Sequence, residues 1–338
     1  MNGDYRDKEV LVTGGLGFIG SNLAIRLVEL GARVTIVDSS VDGCGANPYN
    51  VQPIAHCVRV IPRDIGEAAD FRDTLREAQV IFNLAGEISH IQSMECPERD
   101  LQINALAQLR FVRECARHAR GVRIVYASTR QVYGTPEYLP VDERHPVSPV
   151  DFNGIHKHAA GMYHLMLTRC GELDAAVLHL TNVYGPRMAL HLPSQGVLSA
   201  FLRRLSEGGH LEVFGNGAQL RDPLYVDDVV DAFLMVGAAP SLRRRTFTVG
   251  GPQALTLREI AEMASREAGA GEVHCRPLPK ERASVDIGSY WSDSSRIREE
   301  VGWEPAVPFE EGFARTLAYY REHVSAYLPC PRQDGRLA

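Results

Sequence analysis

Val10-Leu-Val-Thr13-Gly14-Gly-Leu-Gly17-Phe18-Ile19-Gly20-Ser21 joins a β-branched run to a glycine turn, then to an apolar-periodic stretch from Phe18 to about Leu30. Strand, tight turn and helix in that order is what a dinucleotide pyrophosphate requires. Gly14 permits the turn, Gly17 lets backbone approach the phosphates, and Gly20 lets the helix lie close on the strand. The helix N-terminus adds unpaired N–H groups and a partial positive charge. The next strand, Arg33-Val-Thr-Ile-Val-Asp38, ends in an acid about 20 residues further on, where the ribose hydroxyls of NAD are met. A 2′-phosphate would be repelled by Asp38, so NAD is expected in preference to NADP.

A chain of 338 residues, 45% apolar and 23% charged, reads as an ordinary soluble globule of one large domain or two. A net charge of −6 gives no footprint for nucleic acid or anionic membrane. No apolar run reaches the roughly 18 residues of a membrane span, and no signal peptide is expected. Seven cysteines lie scattered without Cys-x-x-Cys pairs or zinc spacing, so reduced thiols, a cytoplasmic location and no metal site are expected.

Further strands are expected at Cys57–Ile61, Val80–Ala85, Val122–Ala127 and Ala175–Leu180, with a surface loop over Asp42–Pro53. Val80-Ile-Phe-Asn-Leu-Ala85 is almost continuously apolar, as a strand buried on both faces must be. Helices are expected at Glu67–Arg76, Pro97–Arg120 and Asn153–Cys170. Alternation of this kind predicts an α/β fold, a doubly wound parallel (Rossmann) sheet. Beyond Gly185-Pro186 the pattern loosens. Helices near Val197–Glu207, Val226–Gly237, Leu257–Ala268 and Phe309–His323, with strands at Leu211–Phe214 and Thr246–Val249, predict a smaller α/β substrate domain. The expected division is 1–183 for the NAD domain, 184–328 mainly for the substrate domain with some segments returning to the first, and 329–338 as a tail.

These stretches resemble an extended short-chain dehydrogenase/reductase of the NAD-dependent epimerase/dehydratase type, over Val10 to about Pro308. The markers are Thr13-Gly-Gly-Leu-Gly-Phe-Ile-Gly20, Asp38, Asp64, Asn83-Leu-Ala-Gly86, Ala127-Ser-Thr129-x-x-Val-Tyr-Gly134, Lys157, Asn182-Val-Tyr-Gly-Pro186 and Arg221-Asp-Pro-Leu-Tyr-Val-Asp-Asp228. The resemblance implies a nucleotide-sugar substrate and NAD held by Gly14, Gly17, Phe18, Ile19, Gly20, Asp38, Asp64, Ile65, Leu84, Ala85, Gly86 and Lys157. It assigns Ser128, Thr129, Asn182, Arg187, Arg221 and Arg282 to the substrate, the arginines as forks for phosphate. It also implies a homodimer, paired through the helices from Pro97 and Asn153.

Chemistry in that group rests on a Ser or Thr, a Tyr, and a Lys four residues after it, on one helix face. Thr129 and Lys157 match, but Asn153 stands where the Tyr is expected. An amide has no protonation change near neutrality and cannot be the base. Tyr133, His90, His156 or Lys157 could take the proton; Asn153 could orient the hydroxyl without taking it; or catalysis is lost and binding of NAD or nucleotide sugar remains. Arg187-Met188 is similar to UDP-glucuronate decarboxylases, yet Gln131 replaces their Glu. Arg130-Gln131 replaces the Asp-Glu pair of dTDP-glucose 4,6-dehydratases, whose acid and base eliminate water across C5 and C6. Epimerisation lacks the fewest parts, so 4-epimerisation of a UDP-hexose or UDP-hexuronate through a transient ketone is expected. The alternative is a dehydratase, decarboxylase or oxidoreductase yielding a keto-sugar.

Overall fold

The computed structural model describes residues 4–192, 196–279, 283 and 285–328. Six apolar runs form β1 (Glu9–Thr13), β2 (Arg33–Val37), β3 (Val58–Ile61), β4 (Val80–Asn83), β5 (Arg123–Thr129) and β6 (Asp174–Leu180). Shorter strands follow: β7 (Val183–Tyr184), β8 (Leu211–Phe214), β9 (Leu220–Arg221), β10 (Leu224–Tyr225), β11 (Thr246–Val249), β12 (Leu255–Thr256) and β13 (Val273–Arg276). Seven strands pair in parallel in the order β11-β6-β5-β4-β1-β2-β3, the doubly wound arrangement with one further edge strand. Thr246–Val249 is therefore one of the segments that return to the main sheet, pairing with Val177–Leu180.

The helices are α1 (Phe18–Glu29), α2 (Arg72–Glu77), α3 (His90–Glu95), α4 (Pro97–Leu101), α5 (Ala107–His118), α6 (Phe152–Arg169), α7 (Gly196–Ser206), α8 (Val226–Ala238), α9 (Leu257–Ala268), α10 (Ser295–Val301) and α11 (Phe309–His323). Alternate strand residues serve opposite faces, as the pleat dictates. Val10, Val12, Ile36 and Phe82 pack with Leu23, Leu27 and Phe233 of α1 and α8. Leu11, Ile81 and Ile124 pack with Phe111 and Val112 of α5. A second core, built on Tyr184, Phe201, Leu211, Ile260 and Phe313, holds the smaller body together.

Several expectations change. The stretch Asp42–Pro53 is not wholly a surface loop, because a 3₁₀ turn over Pro48–Ile54 buries Asn50, Val51 and Ile54. The single helix expected at Glu67–Arg76 is a 3₁₀ turn, Ile65–Phe71, followed by α2. The long helix from Pro97 is interrupted by one π turn at Gln102–Leu106. That wider turn falls among three buried polar residues, Asp100, Asn104 and Gln108, whose side chains all bond inward. Helices α3 and α10 and strand β13 were not expected; they are six, seven and four residues long, too short to give a clear periodic signal. The tail from 329 lies outside the described residues.

Candidate active site

The C-terminal ends of β1, β2, β4, β5 and β6 open onto a cavity of about 480 Å³, roofed by residues of the smaller body including Phe214, Gln219 and Arg221. This is where a doubly wound sheet binds its ligand, at the strand ends near the reversal of order.

The glycine turn leaves no room for side chains. Gly14 has a φ of +68°, and a Cβ there would lie 2.8 Å from the backbone of Leu84 and Ala85. On Gly20 it would lie 2.2 Å from the Gly14 carbonyl oxygen. Helix α1 starts at Gly17 with no side-chain cap and no acid in its first turn, so its first N–H groups remain for an anion. Asp38 is fixed at the end of β2 by the N–H groups of Leu16 (3.0 Å) and Ser40 (2.9 Å). Burial raises its carboxyl above the ordinary value. Asp64 caps the turn that Ile65 begins, accepting from the Gly66 N–H at 2.7 Å. Gly14, Gly17, Phe18, Ile19, Gly20, Asp38, Asp64, Ile65, Leu84, Ala85, Gly86 and Lys157 all line the cavity. The cradle, the free helix end and the acid at the ribose position fit NAD.

A buried polar chain holds this floor in place. The Thr13 hydroxyl donates to Asn83 Oδ1 (2.7 Å), Asn83 Nδ2 donates to Gln108 Oε1 (2.7 Å), and Gln108 Nε2 donates to the Ala85 carbonyl (2.8 Å). Asn83 Nδ2 also lies 3.1 Å from His164 Nε2, while His164 Nδ1 bonds to the Ala160 carbonyl. Burial lowers the His164 pKa to about 4, so the ring stays neutral and accepts at Nε2.

At the other end of the cavity stand Ser128, Thr129, Asn153 and Lys157. Thr129 ends β5 and caps the 3₁₀ turn after it, accepting from the Gln131 N–H at 3.2 Å. Asn153 is fully buried, and Nδ2 donates to the Glu87 carbonyl (3.0 Å) and to Asp100 Oδ2 (2.9 Å). Both partners are pure acceptors, which fixes the amide: Oδ1 has no partner among the described residues. Lys157 is held between Gly86, where a Cβ would lie 2.9 Å from Nζ, and the Tyr126 ring, 6.0 Å away. Burial lowers its pKa to about 8, opposed by the nearby Asp100 charge.

The four base candidates separate cleanly. Tyr133 is buried and does not line the cavity; its hydroxyl is engaged by His179 Nδ1 (2.8 Å) and Thr248 Oγ1 (3.3 Å), and burial raises its pKa further. His156 is turned away to Asp100 Oδ1, 2.7 Å from Nδ1. His90 lines the cavity, with Nδ1 3.0 Å from Asp151 Oδ2, an ion-pair distance without the alignment of a full hydrogen bond. Asp151 is held below the usual carboxylate range by His90, the Gly154 N–H and Gln131, against the opposing effect of burial. Lys157 is the fourth.

Of the residues that the resemblance assigns to the substrate, Ser128, Thr129, Asn182 and Arg221 line the cavity and Arg187 does not. Arg187 has a left-handed backbone (φ 75°), and its guanidinium ties Asn22 Oδ1 (2.8 Å) to the Asn50 carbonyl (3.2 Å) over the Tyr319 ring. That contact braces α1 against the turn after β7. Arg282 lies outside the described residues. Arg221 is held by the carbonyls of Leu220 (2.8 Å) and Gly288 (2.6 Å), and burial followed by the charge of Arg130 lowers its pKa to about 10. Arg130 also lines the cavity, a role that sequence reading missed by noting only the acid that was absent there. One grouping runs against the expectation of no metal-spaced cluster. His210, Glu272 and His274 place ligand atoms within 4.8 Å of one another on the surface, outside the cavity lining.

The family model described as NAD dependent epimerase/dehydratase matches residues 10–250. The UDP-glucose 4-epimerase of Mycolicibacterium smegmatis is 34% identical over 314 residues, which is 92% of this chain and 98% of that protein. The UDP-glucose 4-epimerase of Thermotoga maritima, solved with UDP-glucose, has a TM-score of 0.84 at 28% identity, covering 93% of this chain and 99% of its own. A dTDP-glucose 4,6-dehydratase from Streptomyces venezuelae, solved with NAD bound, has a TM-score of 0.83 at 27% identity, covering 95% and 99%.

Proposed function

The chain belongs to the NAD-dependent epimerase/dehydratase family, and from that premise we propose that it is a nucleotide-sugar 4-epimerase acting on a UDP-hexose or UDP-hexuronate. The observation that carries the choice of reaction is the pair Arg130-Gln131 beside Thr129, which leaves no carboxylate there to expel water from C5 and C6. Relatives that carry out UDP-glucose 4-epimerisation support the same choice.

Bound NAD supplies a hydride acceptor that can return the hydride to either face of a C4 ketone. The chain must then take and return the hydroxyl proton without a tyrosine. His90 does so in this reading: Asp151 engages Nδ1, which leaves Nε2 for the sugar hydroxyl. Asn153 Oδ1 accepts a hydrogen bond from the sugar and orients it, because Asp100 and the Glu87 carbonyl hold the amide nitrogen away. The Lys157 ammonium stabilises negative charge developing on the sugar oxygen, and Thr129 adds a hydroxyl donor on the same side. Arg221 and Asn182 hold the diphosphate.

The test is turnover. Purified protein, without added cofactor, should carry NAD and convert UDP-glucose or UDP-glucuronate to its C4 epimer, read by NMR. An absence of product over a broad nucleotide-sugar panel rejects the reading.

A further inference from the structure

Arg130 lines the cavity, and the proposed chemistry gives it no task. It follows Thr129 directly, in the 3₁₀ turn Arg130–Tyr133, and lines the cavity together with Thr129, Asn153 and Lys157. Its guanidinium carbon lies 4.9 Å from the centre of the Tyr290 ring, a stacking that fixes its position. Nη1 is buried and has no hydrogen-bond partner among the described residues.

The surrounding acids do not supply one. Asp151 accepts from Gln131 Nε2 (2.8 Å) and the Gly154 N–H (2.7 Å). Asp222 accepts from the Thr181 hydroxyl and the Ser292 N–H, and Asp286 from Gln219 Nε2 (2.6 Å) and the Gly288 N–H (3.1 Å). Their charges favour the guanidinium from a distance, while burial disfavours it. A buried charged donor left without an acceptor is costly, so a ligand that brings one gains affinity.

We propose that the sugar of the substrate bears a carboxylate, and that Arg130 receives it. The inference rests on the nucleotide-sugar reading above and narrows it to a uronic acid. In a hexuronate the carboxyl group is carried on C5, next to the carbon that is oxidised. Thr129 faces that carbon in the proposed chemistry, so the residue directly after it is placed for the neighbouring substituent. Arg221, on β9 in the smaller body, keeps the diphosphate. A hydroxymethyl group in place of the carboxylate would leave the guanidinium without a counter-charge.

Binding to the NAD-loaded protein tests this by calorimetry with three probes: UDP, UDP-glucose and UDP-glucuronate. UDP-glucuronate should bind the wild type at least tenfold more tightly than UDP-glucose. Arg130→Met should bring that ratio close to one, and Arg130→Lys, a point charge without the fork, should keep part of it. Equal wild-type affinity for the two sugars overturns the inference and leaves the nucleotide-sugar reading standing; this comparison needs no variant to fold. If Arg130→Met weakens UDP as much as UDP-glucuronate, Arg130 holds the diphosphate and the inference is wrong. If none of the three binds, the nucleotide-sugar reading fails and takes the inference with it.

Discussion

Asn153 shows how far one residue can be understood from its neighbours. Its amide nitrogen is spent on two acceptors, so its oxygen alone is left without a partner among the described residues, and nothing on it can ionise. The proton must therefore move elsewhere, and His90 is the candidate that both reaches the cavity and has a carboxylate beside it. His90→Gln should lower kcat by about 10²–10⁴-fold while the purified protein keeps its NAD, read by absorbance; near-normal kcat removes His90 from the mechanism. Lys157 sets the alkaline side. Its pKa is lowered to about 8, so its charge is present below that pH and lost above it. If the ammonium assists the reaction, kcat should fall as pH rises through about 8. Lys157→Arg, charged at every accessible pH, should lose this limb whatever its absolute rate. A rate that instead climbs through pH 8 would mean that the neutral amine is the base.

At the scale of elements, the turn between β1 and α1 was the most legible part of the sequence. At Gly14 and Gly20 a Cβ would run into backbone at 2.8 and 2.2 Å, so no other residue fits there without a shift, and at Gly17 it would lie a tight 3.2 Å from the Gly14 carbonyl oxygen. Gly20→Ala places a methyl carbon 2.2 Å from the Gly14 carbonyl oxygen, forcing helix and strand apart. The expected cost is about 1–3 kcal/mol of stability, seen in urea unfolding, together with loss of copurified NAD. A variant that retains both stability and cofactor would contradict the account of close packing. The helix from Pro97 was less legible. Periodicity announced it, but no local pattern announced the π turn at Gln102–Leu106, near residues bonded to Asn153, Asn83 and the loop after β4. Likewise β11 was readable as a strand but gave no sign of its partner, since pairing with β6 joins residues some 70 positions apart, as Thr246 and Val177 are.

At the scale of the whole molecule, α4 and α6 carry an apolar surface that the fold leaves uncovered. Leu101 (44% exposed), Ile155 (46%), Met162 (39%) and Met166 (42%) lie on these two helices. We take this face as the seam of a homodimer, as the resemblance to the family implies. Light scattering should give twice the chain mass, and Met162→Glu with Met166→Glu should halve it; a wild-type monomer at micromolar concentration ends the proposal. Among the described residues no helix is long and apolar enough to cross a membrane. By itself the sequence determined the parallel sheet, the dinucleotide turn and the absence of the usual phenol, because each depends on residue type at short, fixed spacing. Only the tertiary structure decided which way Asn153 points, that Tyr133 and Arg187 serve packing, and that Arg130 lines the cavity. Those outcomes depend on partners brought together from distant parts of the chain, such as Asp100 for Asn153 and Tyr290 for Arg130.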